Sequence, residues 1–498
     1  MKVEFVCDLA GKPTPLPHFW EYCVGSDHAP VALRADWQQQ LKRCHDELGF
    51  RRVRFHGLLS DDLGTLVREK QKLVYSFFNA DQIFDFLISI GMHPFIELSF
   101  MPTALASADR TVFHYNANVT PPKDFKQWAA LIKKLARHWL DRYGAEEMKQ
   151  WKFEVWNEPN LYNFWTGTRR DYFKLYRYAA EAIKSVNSSL SIGGPATAKN
   201  EWIEEFRDFC ERNEVPLDFI STHHYPTDAF GQPDDDTETQ LSKSRRGALR
   251  DQALDARRCA GDLPLYYTEW NSSSNPFDTL HDQSYAAAFV VKSVMDVAGV
   301  VEAYSFWTFS DIFEENYLSS TPFHGGFGLL NIHGIAKPTY RAFQLLHRLG
   351  TKQLLVDGIH ETLNVWVIRN NEKLTALVTN HALPGHSIES ERMSMRLLNA
   401  SEPHAAWIER VDKDHVNPRQ VWREMGAPDY PCAEEVERLS AASELVRKQQ
   451  RFRYKDSSVS FEINLPPHSV AAVEFEFAES LTPGRNQSNS VCCVPAAL

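Results

Sequence analysis

The sequence predicts an α/β fold, a (β/α)8 TIM barrel with an accessory β-sandwich domain, and three observations carry that expectation. From about residue 17 to 345, short β-rich runs alternate with longer helical ones, the pattern of repeated βα units around a parallel sheet. Eight strand candidates can be counted there; a doubly wound sheet normally uses fewer, and no glycine-rich phosphate loop opens any of the helices. After Leu349-Gly350 the β-rich runs continue without long helices between them, which reads as an all-β module. The expected boundaries are 14–345 for the barrel, 1–13 and 346–478 for the sandwich, and 479–498 for a disordered tail.

In chain order, the barrel strands are expected at 19–24, 52–59, 94–100, 152–156, 190–194, 218–225, 265–270 and 303–309. Between them apolar residues recur at helical intervals. Trp37, Leu41, Cys44 and Leu48 precede Gly49; Phe125, Trp128, Ile132, Leu135 and Trp139 precede Gly144; Tyr172, Tyr176, Ile183 and Val186 form a third stripe. Sandwich strands are expected at 353–356, 363–369, 374–380, 393–398, 406–411 and 459–477. A helical insertion near 433–449, acidic at its start and basic at its end, suits a helix dipole. Residues 3–7 are placed as a further sandwich strand, because the chain leaves them through Pro13, Pro15 and Pro17.

Composition narrows the function classes. The 498 residues carry a formal net charge of -11 and no basic stripe, which speaks against nucleic acid or an anionic membrane surface as partner. Aromatic residues make up 12%, with 13 Trp and 31 Phe, a supply of flat apolar faces of the kind sugar rings stack on. The first residues, MKVEFVCDLAGKPTPL, lack a secretory apolar core, and the apolar stretch 286–309 is broken by Lys292, Asp296 and Glu302, so a cytoplasmic protein is expected. Eight scattered cysteines show neither zinc spacing nor disulfide density and are expected to be reduced and mostly buried.

The chemistry is expected where apolar runs end on acids. In Phe153-Glu154-Val155-Trp156-Asn157-Glu158-Pro159, Pro159 cannot donate to a ladder and restricts its predecessor, so the strand stops and leaves Glu158 at its C-terminal tip. On that stretch alone, Glu158 is either an acid at the mouth of a barrel or a solvated loop glutamate. Glu269 decides between them, because it ends the seventh run, Leu265-Tyr266-Tyr267-Thr268-Glu269, in the same way. Two such acids face each other across a barrel mouth, the arrangement for hydrolysing a glycosidic bond: one donates a proton while the other attacks or stabilises the anomeric carbon. Asn157 stands beside Glu158, ready for a substrate hydroxyl.

Further candidates surround the pair. In His223-His224-Tyr225 the period of two puts His223 and Tyr225 on one face, Tyr225 to hold the attacking carboxylate and His223 to touch sugar hydroxyls; zinc is disfavoured, since adjacent histidines point apart. His56 reads as a sugar ligand or a packing residue, Trp307 as the floor under a sugar ring or core, and Glu314 with Glu315 as hydroxyl ligands or a charged loop. Arg54 is left without a role. The run Asp234-Asp235-Asp236 lacks the spaced oxygens of a calcium loop. No metal and no cofactor is expected.

The motifs FEVWNEPN, YTEWN, SFWTFSDIFEE and FHGGFGLL, preceded by RFHGLLSDD and NVTPPKDF, resemble glycoside hydrolase family 39, the β-xylosidase branch. The resemblance runs from about Phe19 to the end of the sandwich. It implies Glu158 as acid/base, Glu269 as nucleophile, retention of anomeric configuration, and sugar contacts from His56, Asn157, His223, Tyr225, Trp307, Glu314 and Glu315. It also implies Phe113 as a pocket wall, xylo-oligosaccharides as substrate and a homo-oligomer, a tetramer in that branch. Within the family an α-L-iduronidase-like or β-glucosidase activity is the rival, and from another class a non-catalytic sugar-binding module. An iduronate pocket would need Arg or Lys facing the carboxylate. The text STHHYPTD varies between members, which leaves His224 without an implied role, and the tail ending Cys492-Cys493 has no counterpart.

Overall fold

A computed structural model describes residues 2–227, 235–370 and 373–477. Its centre is a closed barrel of eight strands: β1 (Val24–His28), β2 (Arg52–His56), β3 (His93–Leu98), β4 (Lys152–Val155), β5 (Ser191–Thr197), β6 (Phe219–His224), β7 (Leu265–Trp270) and β8 (Ala303–Phe306). Each pairs in parallel with its sequence neighbours, and β8 closes on β1. Helices return the chain on the outside; Arg169–Val186, for example, buries Tyr172, Tyr176 and Ile183 and starts on a Thr168/Asp171 capping box.

Strand alternation sorts the barrel interior into layers. Phe95, Phe219, Tyr266 and Ala303 pack as an apolar plug with Cys23. Two residues further along the same strands come Glu97, Ser221, Thr268 and Ser305, all buried. The interior is thus apolar toward the strand starts and polar toward the C-terminal ends, where the chemistry is placed.

The first strand begins later than expected. Residues 19–21 form a 3-10 turn and the strand runs over Val24–His28. Phe19 and Trp20 are both buried at consecutive positions, which suits a turn closing the barrel floor and not an alternating strand. Gly25 then passes so close to Trp307 that a Cβ would stand 2.5 Å from its ring, so a side chain there would displace the tryptophan.

Two further sheets form the accessory part. One has five strands, with Lys2–Asp8 between Val356–Asp357 and Glu391–Leu398; the other has seven, including Thr14–Pro15, Leu363–Arg369, Lys373–Asn380, Pro403–Val411 and Ser469–Phe477. Phe5, Met395, Val459, Phe461 and Val473 belong to the apolar cluster these sheets share. The run expected at 459–477 is two strands, Ser458–Leu465 and Ser469–Phe477, because Pro466-Pro467 turns the chain. The helix expected over 433–449 stops at Ala442, and Lys448–Gln449 pairs with Trp407 and Ile408. A shorter helix, Pro418–Glu424, precedes it, and Trp422 and Leu439 of the two pack on Phe323 and Ile335 of the segment following β8.

Candidate active site

Each barrel strand delivers its functional side chain by a local device. On β2 the alternation turns both Arg54 and His56 inward, and both are buried. On β4 it turns Glu154 inward; the chain then passes through the left-handed region at Trp156 (φ 72°) and Glu158 (φ 43°), and the Glu158 amide donates to Ala196 O at 2.8 Å. Two non-glycine residues in that region store on the order of 1 kcal/mol each, held by the surrounding packing. On β7 the register against β6 jumps from Thr222–Tyr267 to His223–Glu269, leaving Thr268 as an extra residue. That bulge lets consecutive residues face the interior: Thr268 donates to Glu154 at 2.7 Å, and Glu269 accepts from the Tyr225 hydroxyl at 2.6 Å.

Glu158 and Glu269 come together. One carboxyl oxygen of each, with a ring nitrogen of His223, lie within 4.8 Å of one another. The two acids line a cavity of about 140 Å³ with His56, Asn157, Tyr225, Trp307 and Glu315. The other three candidates stand back from it. His223 is fully buried behind Glu158, with Nδ1 3.0 Å from Glu158 and Nε2 3.1 Å from Thr268, so it touches carboxyls in place of sugar hydroxyls. Phe113 supports the wall from outside, 6.3 Å from His56 and 5.6 Å from Phe164. Glu314 turns toward β1: its amide donates to Asp27 at 2.6 Å and its carboxylate lies 4.0 Å from His28. Leu161, Phe164, Ala198, Ser274, Pro276 and Phe327 complete the lining from loops whose text carried no signal beyond apolar or small character. His224 points the other way and hydrogen-bonds Tyr304 at 2.8 Å. Asp236 caps the helix Thr237–Lys243, while Asp234 and the Cys492-Cys493 tail lie outside the described residues.

Arg54 organises the floor. Fully buried, it donates to Glu154 at 2.6 Å and Asn157 at 2.9 Å, pairs with Glu97 at 2.7 Å, and reaches Glu269 at 3.4 Å. A guanidinium surrounded by three carboxylates stays charged, and burial does not dislodge its proton. Although burial would raise Glu97, Arg54 and His56 hold it down at about 2; His56, between Glu97 at 2.8 Å and Glu315 at 3.5 Å, is lifted against its own burial to about 10. Burial drives His223 down to about 4, which leaves it neutral.

Both opposed acids are raised above the ordinary carboxylate range. Burial pushes Glu158 up to about 7, against the pull of His56 and Arg54. Glu269 is also raised, first by burial and then by the charge of Glu158, while His223 and Arg54 oppose the rise. Tyr225 and Arg54 supply two hydrogen-bond donors to its oxygens, so the ionised form has partners in place.

Among the described residues three groups have metal-ligand character: His18 with Glu21 and His347, Asp27 with His28 and Glu314, and Glu158 with His223 and Glu269. In the last, Tyr225 and Arg54 already occupy the Glu269 oxygens, so the set fits proton chemistry better than a cation. No helix among the described residues is long and apolar enough to cross a membrane.

Known proteins resemble this chain over most of its length. A β-xylosidase of Caldicellulosiruptor saccharolyticus is 49% identical, over 91% of this chain and 94% of its own. Another from Geobacillus stearothermophilus is 37% identical, over 92% of each. Among solved structures, a β-xylosidase of Caulobacter crescentus described as monomeric superposes with a TM-score of 0.83 at 32% identity, covering 95% of this chain and 99% of that one. That relative lends no support to a tetramer. Residues 1–458 match the family described as Glycosyl hydrolases family 39. The chain belongs to that family and is a glycoside hydrolase.

Proposed function

We propose that the chain is a retaining, exo-acting β-xylosidase that removes terminal β-D-xylosyl residues from xylo-oligosaccharides by double displacement. The observation that carries this reading is the approach of a Glu158 and a Glu269 oxygen to within 4.8 Å. Retaining enzymes hold their carboxyls about 5–5.5 Å apart, whereas inverting ones leave about 6.5–9.5 Å for a water. In the first step Glu269 attacks the anomeric carbon while Glu158 gives its proton to the leaving oxygen. In the second, Glu158 takes a proton from water, whose oxygen displaces Glu269. Among the described residues the cavity lining includes no Arg or Lys; Arg54 is engaged by Glu97, Glu154, Asn157 and Glu269, and His56 by Glu97 and Glu315, so none of these offers an unpaired cation to a uronate sugar. A neutral glycone fits, and relatives 49% and 37% identical to this chain are β-xylosidases.

The test is a panel of nitrophenyl glycosides with two variants. Glu269→Ala is expected to lose turnover by about 10⁴-fold or more and, given azide, to release an α-configured xylosyl azide. Glu158→Ala is expected to spare substrates whose leaving group departs unprotonated and to fail on xylobiose. Turnover at wild-type rate in Glu269→Ala, or equal loss on both substrate types in Glu158→Ala, sinks the assignment.

A further inference from the structure

His223 is not among the residues lining the cavity, yet it is buried against the acid on which the chemistry turns. A neutral imidazole offers one N–H and one lone pair, so which nitrogen faces Glu158 decides which protonation state of that carboxyl is favoured. Nδ1 lies 3.0 Å from Glu158 Oε1 and 3.7 Å from Glu269 Oε2. Nε2 lies 3.1 Å from Thr268 Oγ1 and 3.4 Å from Arg54 Nη2.

Thr268 breaks the tie. Its hydroxyl has a single proton, and Glu154 takes it at 2.7 Å in a charge-assisted bond shorter than the contact to His223. Glu154 also accepts from Arg54 Nε at 2.6 Å, an ion pair that leaves it an acceptor toward Thr268. The Thr268 oxygen therefore has only lone pairs to offer Nε2, and the bond at 3.1 Å forms when Nε2 carries the hydrogen. Arg54 loses little, since its Nη2 is already served by Asn157 at 2.9 Å, nearer than Nε2. With the hydrogen on Nε2, Nδ1 presents a lone pair, which an ionised Glu158 cannot satisfy and a protonated one can.

We propose that the Thr268 hydroxyl fixes the tautomer of His223, and that His223 thereby holds Glu158 as a proton donor. The proposal rests on the acid/base role of Glu158 given above. It makes Thr268 and His223 positioning residues, acting through Glu158 and not on the sugar. In the first step the proton leaves Glu158 for the departing oxygen, and the His223 lone pair then faces a carboxylate. That repulsion strengthens Glu158 as the base that takes the proton from water in the second step, so one fixed tautomer serves both halves of the cycle.

Other charges face the same groups. Glu158 is surrounded by His56, Arg54, Glu97, Glu269 and the more distant Lys199, and His223 by Glu269, Arg54, Glu154 and Glu97. None is removed by changing Thr268, which carries no charge. Thr268→Val keeps the shape and deletes the acceptor; Nε2 is then left to the Arg54 donor, the hydrogen moves to Nδ1, and an ionised Glu158 gains a bond. Thr268→Ser keeps the hydroxyl.

The experiment is the pH profile of kcat/KM for wild type, Thr268→Val and Thr268→Ser on xylobiose and on dinitrophenyl β-xyloside. On xylobiose the limb at high pH is expected to move down by about one pH unit in Thr268→Val and to stay in place in Thr268→Ser. On the dinitrophenyl substrate, whose leaving group needs no proton, the two variants and wild type are expected to agree. An unmoved limb in Thr268→Val overturns the proposal. Should Thr268→Val not fold, ¹⁵N imidazole spectra of the wild-type protein, with His223 assigned by its loss in His223→Gln, decide the matter. An unprotonated Nδ1 supports the proposal, and a protonated one overturns it. Glu158→Ala on the same two substrates separates the levels: equal loss on both strikes the role of Glu158 itself, whereas selective loss with an unmoved Thr268→Val limb strikes only the tautomer.

Discussion

At the scale of single residues, the site is arranged against the stability of the chain that carries it. Glu158 is buried, sits at φ 43°, and titrates near 7, whereas an unfolded glutamate titrates at about 4.3. The folded state therefore binds a proton more tightly than the unfolded one, and stability falls as pH rises from about 4.3 to 7 and stays lower above that. Glu158→Gln removes the ionisation and is expected to be about 1–2 kcal/mol more stable than wild type at pH 8, with the gap closing near pH 4.5. Urea denaturation at the two pH values measures it; a gap of equal size at both would show that ionisation is not the cause. The acids at 158 and 269 stood out in the sequence because each ends an apolar run. Glu97 and Glu154 lay in plain view as charges inside such runs, but nothing local says that a guanidinium 43 or 100 residues away neutralises them. Arg54 stayed a loose end for that reason. His223 was expected against sugar hydroxyls and lies against Glu158 and Thr268, neighbours that the period of two does not name, since it gives direction and not distance.

At the scale of elements, the loop leaving β8 depends on one buried cation. Lys337 Nζ lies 2.8 Å from Asp282, 2.6 Å from Asp311 and 2.9 Å from Gly326 O, and none of these three side chains is exposed beyond 1%. Asp282 and Asp311 in turn accept the Gly325 and Gly328 amides, which fixes the backbone on either side of Phe327 in the cavity wall. Lys337→Met would leave two carboxylates facing each other without a counter-charge. It is expected to cost about 3–5 kcal/mol and to raise KM through Phe327; thermal melting and steady-state kinetics check both, and a loss under 1 kcal/mol would mean that the knot is dispensable. Eight strands and their order were legible because each carries its own β-rich run. Boundaries were not, where the aromatic pair Phe19-Trp20 reads in the sequence as β-rich although it forms a turn, or where the basic residues after Ala442, such as Arg447, serve Glu474 and Glu476 across a sheet and not a helix end.

At the scale of the whole molecule, barrel and sheets share a core. Helix Ser284–Asp296 is buried along nearly all its length, wedged between the barrel and strand Ser469–Phe477. There His381 is fully buried, 5.3 Å from Tyr285 and 5.9 Å from His468, with Arg246 and Lys292 as the nearest charges and no acid among them. Burial first, then His468, and after it Arg246 and Lys292, drive its pKa well below the ordinary value. A histidine depressed in the folded state contributes stability that is present above its unfolded value of about 6.5 and is lost as pH falls below it. His381→Leu is expected to flatten that acid-side loss between about pH 7 and 5, read as the difference in melting temperature between variant and wild type. An unchanged slope would place the acid sensitivity elsewhere.

Strand Lys2–Asp8 lies between two partners contributed by residues 356–357 and 391–398, and its own first hydrogen-bonded neighbour in the chain is thus made some 350 residues later. During synthesis this strand, bearing Phe5 and Cys7, is made before the entire barrel, and its two flanking strands are made only after it. A strand whose partners lie some 350 residues downstream is an edge left open to mispairing until residues 391–398 have been made, so the five-stranded sheet closes after the barrel and not before it.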